Sequence, residues 1–228
     1  MSTLTEILGK VVDGVKDDAG KLANPSDFDR HIQAAIKKYS KYRPDLKVAD
    51  IVGNGAHDYD LPTGWSDGFS GVKTIEYPIG DIPATLLDND EHEGYLTPTG
   101  KKIRLLNYSP AATESFRVTF TILRTDATIP DVDVDALSWL AASLCCEELA
   151  RAYTPSTDST INADSVDYKS KAAEFSARGK TLLKWYKEHL GIKDDDVTPP
   201  ASAVTDLDMN YPGGRGRLTH PRWARERR

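Results

Sequence analysis

The sequence contains little that would tie it to a membrane or to a disulfide framework. Its only cysteines, Cys145 and Cys146, are neighbours, and neighbours on a helix point in different directions, so they indicate small reduced core residues of a cytosolic protein. The longest apolar run, residues 137–146, is far shorter than the roughly 18 residues that span a bilayer. The N-terminus has no basic flank followed by an apolar stretch, so we expect no signal peptide. Membrane proteins and classically secreted proteins are therefore disfavoured.

The charge of the chain is unevenly distributed. The 228 residues carry a net charge of −6, and this length suits one large domain or one domain plus an arm. Residues 215–228 contain six arginines and one glutamate, a net charge of +5, which leaves −11 for residues 1–214. An acidic body with a basic tail favours an interaction of the tail with a partner.

Helical periodicity occurs near the N-terminus and again in the second half of the chain, as far as residue 190. Residues 3–18 predict a marginal amphipathic helix. Ser26 is expected to cap a second helix over residues 26–43. A long central helix is predicted for residues 133–153, and a last helix for residues 164–190 with Gly191 as its C-cap.

The middle of the chain has the short alternating runs of β-strands. Strands are predicted at residues 47–52, 58–61, 72–77, 102–106 and 115–123, separated by proline and glycine. The fold class is therefore α+β: a helical bundle of long α-helices, a small antiparallel β-sheet insertion and an extended C-terminal arm. The predicted divisions are an N-terminal helix or arm (1–25), a core (26–191) whose β insertion is 46–123, and a basic C-terminal arm (192–228).

Few residues suggest chemistry. Asp131, Asp133 and Asp135 alternate as cation-binding carboxylates do, but they lack the glycine turn and distal glutamate of a calcium loop, so negative charge at a helix N-terminus is favoured. None of the five histidines pairs at metal-ligand spacing. The cysteines lie beside two glutamates rather than in an electropositive site. We therefore predict no enzyme activity, no catalytic or metal-binding residue and no cofactor.

One catalytic alternative stays open at this point. A small metal-dependent hydrolase or nuclease could use His57, Asp58 and the aspartates near residue 131, and a metal-binding assay would test it.

Aromatic and small residues suggest interfaces. Trp65 and Phe69 lie in a glycine-rich turn, where Trp65 could anchor an interface or pack over the sheet edge. Small residues on the last helix would allow another backbone to approach closely. The candidate subunit-interface residues are Trp65, Phe69, Ala173, Ser176, Ala177 and Lys180.

The arginines of the tail have two interpretations. They could contact DNA phosphates, as in a DNA-binding accessory protein, with affinity falling steeply as salt rises. They could instead form paired hydrogen bonds to carboxylates of a protein partner. Trp223 among them suits an aromatic anchor, and the acidic body argues against a dedicated DNA-binding protein.

Four stretches together resemble a known family. They are residues 35–44 (AIKKYSKYRP), 68–78 (GFSGVKTIEYP), 140–153 and 158–167 (DSTINADSVD). Their order resembles that of the head-to-tail adaptor (connector) proteins of tailed bacteriophages and prophages, over about residues 26–191. The resemblance implies a helical bundle with a β insertion. It also implies a structural protein of the virion neck, made in the cytoplasm of the host bacterium.

The resemblance also implies partners. Such adaptors form a ring, commonly of about twelve copies, which docks on the portal, extends the DNA channel without sequence-specific DNA binding, and carries the next neck or tail-terminator protein. Their C-terminal segment often reaches the portal. By position this assigns portal binding to Tyr211, Arg215, Arg217, Arg222, Trp223, Arg225, Arg227 and Arg228. The alternative in the same setting is a tail-terminator or head-closure protein, which would form a six-fold ring.

Overall fold

A computed structural model describes residues 4–154 and 168–193, and its elements are those of an α+β protein. The described residues form four α-helices: α1 (Leu4–Val15), α2 (Ser26–Tyr42), α3 (Val134–Tyr153) and α4 (Tyr168–Leu190). The six strands are β1 (Asp45–Val52), β2 (Asp58–Asp60), β3 (Val72–Glu76), β4 (His92–Thr97), β5 (Gly100–Leu105) and β6 (Ser115–Ile122). Two short 3-10 helices, Asp126–Thr128 and Asp131–Asp133, precede α3.

Helix α3 is the centre of the helical part. The other three helices all pack against it, and its side chains are buried around most of its circumference. Even its serines are accommodated, because Ser138 donates a hydrogen bond to the carbonyl of Val134 and Ser143 donates one to that of Leu140. Within the described ranges, no helix has the length and apolar character that crossing a bilayer requires.

Helix α1 is ordered because one of its faces is covered by α3. Ile7, Val11 and Val15 are fully buried at helical spacing. The predicted helix is confirmed but shorter than expected. It ends at Val15 because Lys16 adopts a left-handed backbone conformation (φ 53°), which a helix does not continue.

The start of α2 differs from the prediction that Ser26 caps it. The helix begins at Ser26, its N-cap is Pro25, and no side chain caps it there. Instead, the carboxylate of Asp27 accepts a hydrogen bond from the backbone N–H of Ala23 (2.7 Å). Asp27, in the first turn of α2, thus holds the loop before the helix through the N–H of Ala23. Helix-cap rules do not predict this contact.

The β part consists of two three-stranded antiparallel sheets instead of the single predicted sheet. Their strand orders are β1-β6-β3 and β2-β5-β4. Their inner faces share one core, whose buried members are Tyr59, Ile75, Leu87, Ile103, Leu105, Phe116, Val118 and Phe120. Strand β4 was missed by the sequence analysis because its residues are half-buried or exposed and show no apolar alternation.

The β part is inserted between α2 and α3 and returns to the point where it begins. The first residue of β1, Asp45, pairs with the last residue of β6, Ile122. Arg124 binds both connections between the helical part and the β part. Its Nε donates to the carbonyl of Arg43, before β1 (2.7 Å), and its Nη1 donates to the carbonyl of Thr128, after β6 (2.5 Å). One guanidinium therefore holds the incoming and the outgoing chain together.

Asp133 is a buried carboxylate that joins three helix ends. It lies at the N-terminus of α3, as predicted, but it does not act there as a cap. Its side chain is 1% exposed and makes no cap hydrogen bond. It accepts hydrogen bonds from the Tyr39 hydroxyl (2.5 Å), from Nη1 of Arg43 (2.7 Å to one oxygen) and from Nε2 of His189 (2.9 Å). Burial alone would raise the pKa of Asp133, but these donors outweigh it and hold the pKa below its ordinary value.

Replacing Asp133 tests this junction. We expect Asp133→Asn to lower the free energy of unfolding by about 2–4 kcal/mol, because the donors lose a charged acceptor. The half-exposed Arg43 can still reach water, which limits the cost. Urea denaturation measures the change. Asp135→Asn is the matched control. Asp135 forms an exposed ion pair with Lys10, and its replacement should cost less than about 1 kcal/mol. Equal effects of the two variants would contradict the assignment.

Lowering the pH should remove the stabilisation that the Asp133 carboxylate provides. Because the folded pKa of Asp133 lies below its unfolded pKa of about 3.9, its stabilisation is complete above that unfolded value and is lost as pH falls through the folded pKa. The difference in urea midpoint between the wild type and Asp133→Asn should therefore be constant from pH 7 to about pH 5 and shrink below pH ~4. A difference independent of pH down to pH ~2 would show that charge is not involved.

Candidate interaction surfaces

Helix α4 packs on α3 through one face that contains a close backbone approach. Phe175, Gly179, Leu182 and Tyr186 are buried on this face. A Cβ atom on Gly179 would lie 3.3 Å from the Cβ of Cys146 and 3.3 Å from the carbonyl oxygen of Ser143. Glycine at this position therefore allows α3 and α4 to pack closely, and its place in the fold is structural.

The opposite face of α4 is open. Ala173, Ala177 and Lys180 are exposed, and Ser176 is half-buried beside them. We call Ala173, Ala177 and Lys180 the α4 outer stripe. The small residues of this helix thus divide into those that face α3, such as Gly179, and those that leave a smooth surface. The role of Ala173, Ser176, Ala177 and Lys180 at a subunit interface stays a prediction.

Trp65 and Phe69 lie in the turn between β2 and β3, and both are half-buried. The indole of Trp65 stacks on Phe120 of the β core (ring centroids 5.7 Å apart), with Nζ of Lys101 5.6 Å from the indole centroid. Its buried Nε1–H has no hydrogen-bond acceptor among the described residues. Trp65 therefore packs over the core while part of it stays accessible, and its role in an interface stays a prediction.

Strand β1 carries an exposed apolar surface that the sequence analysis did not single out. Leu46, Val48 and Val52 are 56%, 54% and 63% exposed, and their alternate positions place them on the same face of the strand. We call them the β1 apolar stripe. Their alternation was visible in the sequence, but alternation alone does not tell which face of a strand is buried.

Charges next to the β1 apolar stripe are neutralised within the sheet. Arg117 of β6 makes two hydrogen bonds to the Asp50 carboxylate (2.8 and 3.0 Å) and lies 3.5 Å from Glu76 of β3. The hydrogen bond from Arg117 lowers the pKa of Asp50. Asp50 lies between Val48 and Val52 on the same face of β1, but its charge is paired with Arg117. The unpaired character of this face is therefore apolar.

The residues proposed for the hydrolase alternative are engaged in other contacts. Asp58 accepts two hydrogen bonds from Arg104, and the His57 ring lies 2.9 Å from the carbonyl of Leu105. Asp133 is bound by its three donors in the helical part. Within residues 4–154 and 168–193, no group of three or more His, Cys, Asp or Glu side chains is placed to hold a metal ion.

Both cysteines lie in the helical core. Cys145 and Cys146 are fully buried in α3. Burial, together with the neighbouring thiol and Glu148, raises the pKa of Cys145 to about 12, and burial raises the pKa of Cys146 to about 11. Thiols with these properties are poor nucleophiles at neutral pH.

Thiol labelling checks this environment. In the native protein at pH 8, we expect both cysteines to react with a chromogenic disulfide at least about a thousandfold more slowly than in urea, because reaction requires opening of the core. Absorbance of the released thiolate gives the rate. Fast labelling of one cysteine in the native state would instead reveal an accessible thiol.

The arm residues from Tyr211 to Arg228 lie outside the described residues. The structure therefore gives no contact for Tyr211, Trp223 or the six arginines, and their assignment stays a prediction.

Comparisons with known proteins give only distant similarities. No protein-family model matches the chain, and no curated protein is significantly similar to it. Among solved structures, a chain from the virion of a native gene transfer agent particle is 12% identical, with a TM-score of 0.28, covering 74% of this chain and 87% of that one.

Two further chains come from necks of such particles. One, from an empty particle computed with C6 symmetry, is 11% identical with a TM-score of 0.28, covering 74% of this chain and 87% of that one. The other, from a native particle computed with C12 symmetry, is 12% identical with a TM-score of 0.27, covering 76% and 91%. TM-scores of this size do not establish a shared fold.

Proposed function

We propose that this chain is a non-enzymatic structural protein of a phage-type virion neck, which forms a ring of about twelve copies on the portal. The ring would connect the DNA-filled head to the tail and extend the DNA channel. Support comes from the resemblance of residues 26–191 to head-to-tail adaptors, and from a β part inserted between helices α2 and α3, the layout expected of that family.

The observation that carries the ring is the α4 outer stripe. A closed ring needs a head-to-tail interface between two different surfaces of each copy. Ala173 and Ala177 are small and exposed on a long helix whose other face is buried on α3, so a neighbouring element could pack closely there. The β1 apolar stripe, on a different part of the molecule, is a second exposed surface.

The charge distribution suits the same role. Residues 1–214 carry a net charge of −11, and an acidic channel wall would repel the DNA backbone and let it slide. The arginines between residues 215 and 228 would extend from the body and form charge-assisted hydrogen bonds with carboxylates of the portal. In this proposal the basic arm docks the ring, and DNA passes without sequence-specific contacts.

Native mass spectrometry with the portal protein of the same genome tests the proposal. We expect about twelve copies on one portal, and loss of docking for a chain that ends at Gly191. Ala177→Glu should reduce ring assembly at least about tenfold, because it places a charge and a longer side chain in the interface. Gln33→Glu is the matched control, since it adds the same charge at an exposed position of α2.

Each other outcome has a definite meaning. A six-fold ring that does not bind the portal would favour the tail-terminator alternative. Docking by the chain that ends at Gly191 would contradict the role of the arm. Assembly by Ala177→Glu as complete as that by Gln33→Glu would contradict the use of the α4 outer stripe. No complex at any salt concentration would contradict the proposal as a whole.

A further inference from the structure

Strand β1 has one paired edge and one open edge. The backbone N–H of Gly53 donates to the carbonyl of Glu114 (2.9 Å), which continues the β1–β6 register. In an antiparallel pair the hydrogen-bonded positions alternate, so the odd-numbered residues of β1 bond to β6. The backbone groups of Leu46, Val48, Asp50 and Val52 point away from it. Within the described residues, no strand pairs with this edge.

An open edge of this kind is a template for a further strand. Strand β1 is eight residues long and bears the β1 apolar stripe on this edge. The Leu46 N–H donates to the Asp45 carboxylate (3.1 Å), so the edge that is left open runs over Val48, Asp50 and Val52. Native proteins normally cover or blunt such edges, because an exposed apolar edge strand pairs with other chains. A segment that covers β1 should therefore be extended and apolar on one face.

The C-terminal end of α4 is connected to the start of β1 through the side chain of Asp133. His189, in the last turn of α4, donates to the same Asp133 carboxylate that binds Arg43, and Arg43 precedes β1 by two residues. Gly191 (φ 70°) then ends the helix, with the N–H of Ile192 bonded to the carbonyl of Lys187. The chain therefore leaves α4 at the junction that also holds Arg43, two residues before β1.

The sequence beyond this point contains one segment with the pattern of a half-buried strand. In residues 205–211, Leu207, Met209 and Tyr211 alternate with Asp206, Asp208 and Asn210. Strict alternation of this kind indicates a strand with one apolar face. Pro200 precedes the segment and Pro212 follows it, as is typical of strand boundaries.

We propose that residues 205–211 pair with the open edge of β1 in the same chain. Leu207, Met209 and Tyr211 would extend the β1 apolar stripe on its exposed face. The eleven residues 194–204 reach about 36 Å when extended, whereas an eight-residue strand is about 26 Å long. Because both partners belong to one chain and the linker is short, their effective concentration is high.

The opposite face of β1 agrees in charge. On this face Ala49 and Ile51 pack against the β core. Asp206 and Asp208 would lie at its rim, on the side of Lys47, which is exposed and donates to the carbonyl of Thr63 (3.0 Å). Asp45 on that side already lies 3.6 Å from Arg124. The pairing also gives the basic end a fixed origin, from which residues 212–228 extend at most about 55 Å. It goes beyond the proposed ring and does not depend on it.

Disulfide trapping in the full-length chain tests the pairing and its side-chain alternation. Val48→Cys is combined in turn with cysteine at each position from 206 to 211, and the variants are oxidised at low protein concentration. We expect the highest yield of intrachain disulfide at one of positions 207, 209 and 211, several-fold above that at its two sequence neighbours, because only the side chain opposite Val48 comes within bonding distance. Lys47→Cys is the matched control and should favour one of positions 206, 208 and 210. The native cysteines are buried and should not interfere.

Gel mobility without reductant and peptide mass spectrometry separate the outcomes. A yield that varies smoothly along 206–211 would overturn the proposal, because an unpaired tail samples both faces equally. Disulfides between two chains would also overturn it, and would assign the edge to a second copy.

Hydrogen exchange of the full-length protein gives a second test in case a cysteine variant fails to fold. The amides of Val48 and Asp50 should exchange at least about tenfold faster in Met209→Pro than in the wild type, because proline disrupts a paired strand. Ser202→Pro, in the linker before the segment, should leave them unchanged. Fast exchange of both amides in the wild type would overturn the proposal.

Discussion

The carboxylate of Asp133 is the constraint on which the arrangement of the helices depends. A charged group can occupy this interior site only if donors surround it, and Tyr39, Arg43 and His189 supply them. The end of α2, the start of α3 and the end of α4 must therefore meet at one place. That meeting point fixes where β1 begins and where the chain leaves α4, so one buried charge sets the geometry of both.

Sequence patterns predicted the helices well because each buries a continuous face at helical spacing. Ile7, Val11 and Val15 are an example, and the φ of Lys16, which ends that helix, is not encoded in any period. The contacts of Asp133 could not be predicted, since its partners lie 56 to 94 residues away in the chain. The sequence predicts this carboxylate only as negative charge at the N-terminus of a helix.

The candidate surfaces were predictable only in part. Small residues on α4 indicated a close approach, but the sequence could not separate Gly179, which faces α3, from Ala177, which is exposed. Strand β1 was predicted, yet the exposure of Val48 depends on which side of the sheet the second sheet covers. Local pattern therefore identifies which residues form an element, whereas tertiary packing decides which of them remain available to a partner.

The pairing of Asp45 with Ile122 has a consequence for how the molecule can vary. Seen from the helices, the entire β part is a loop whose two ends are neighbours, fastened by the single guanidinium of Arg124. Its length adds little to the entropy cost of closing that loop, and its core is separate from the helical core. The β part is thus a removable module, which could be enlarged, shortened or exchanged for another while the helical scaffold keeps its shape.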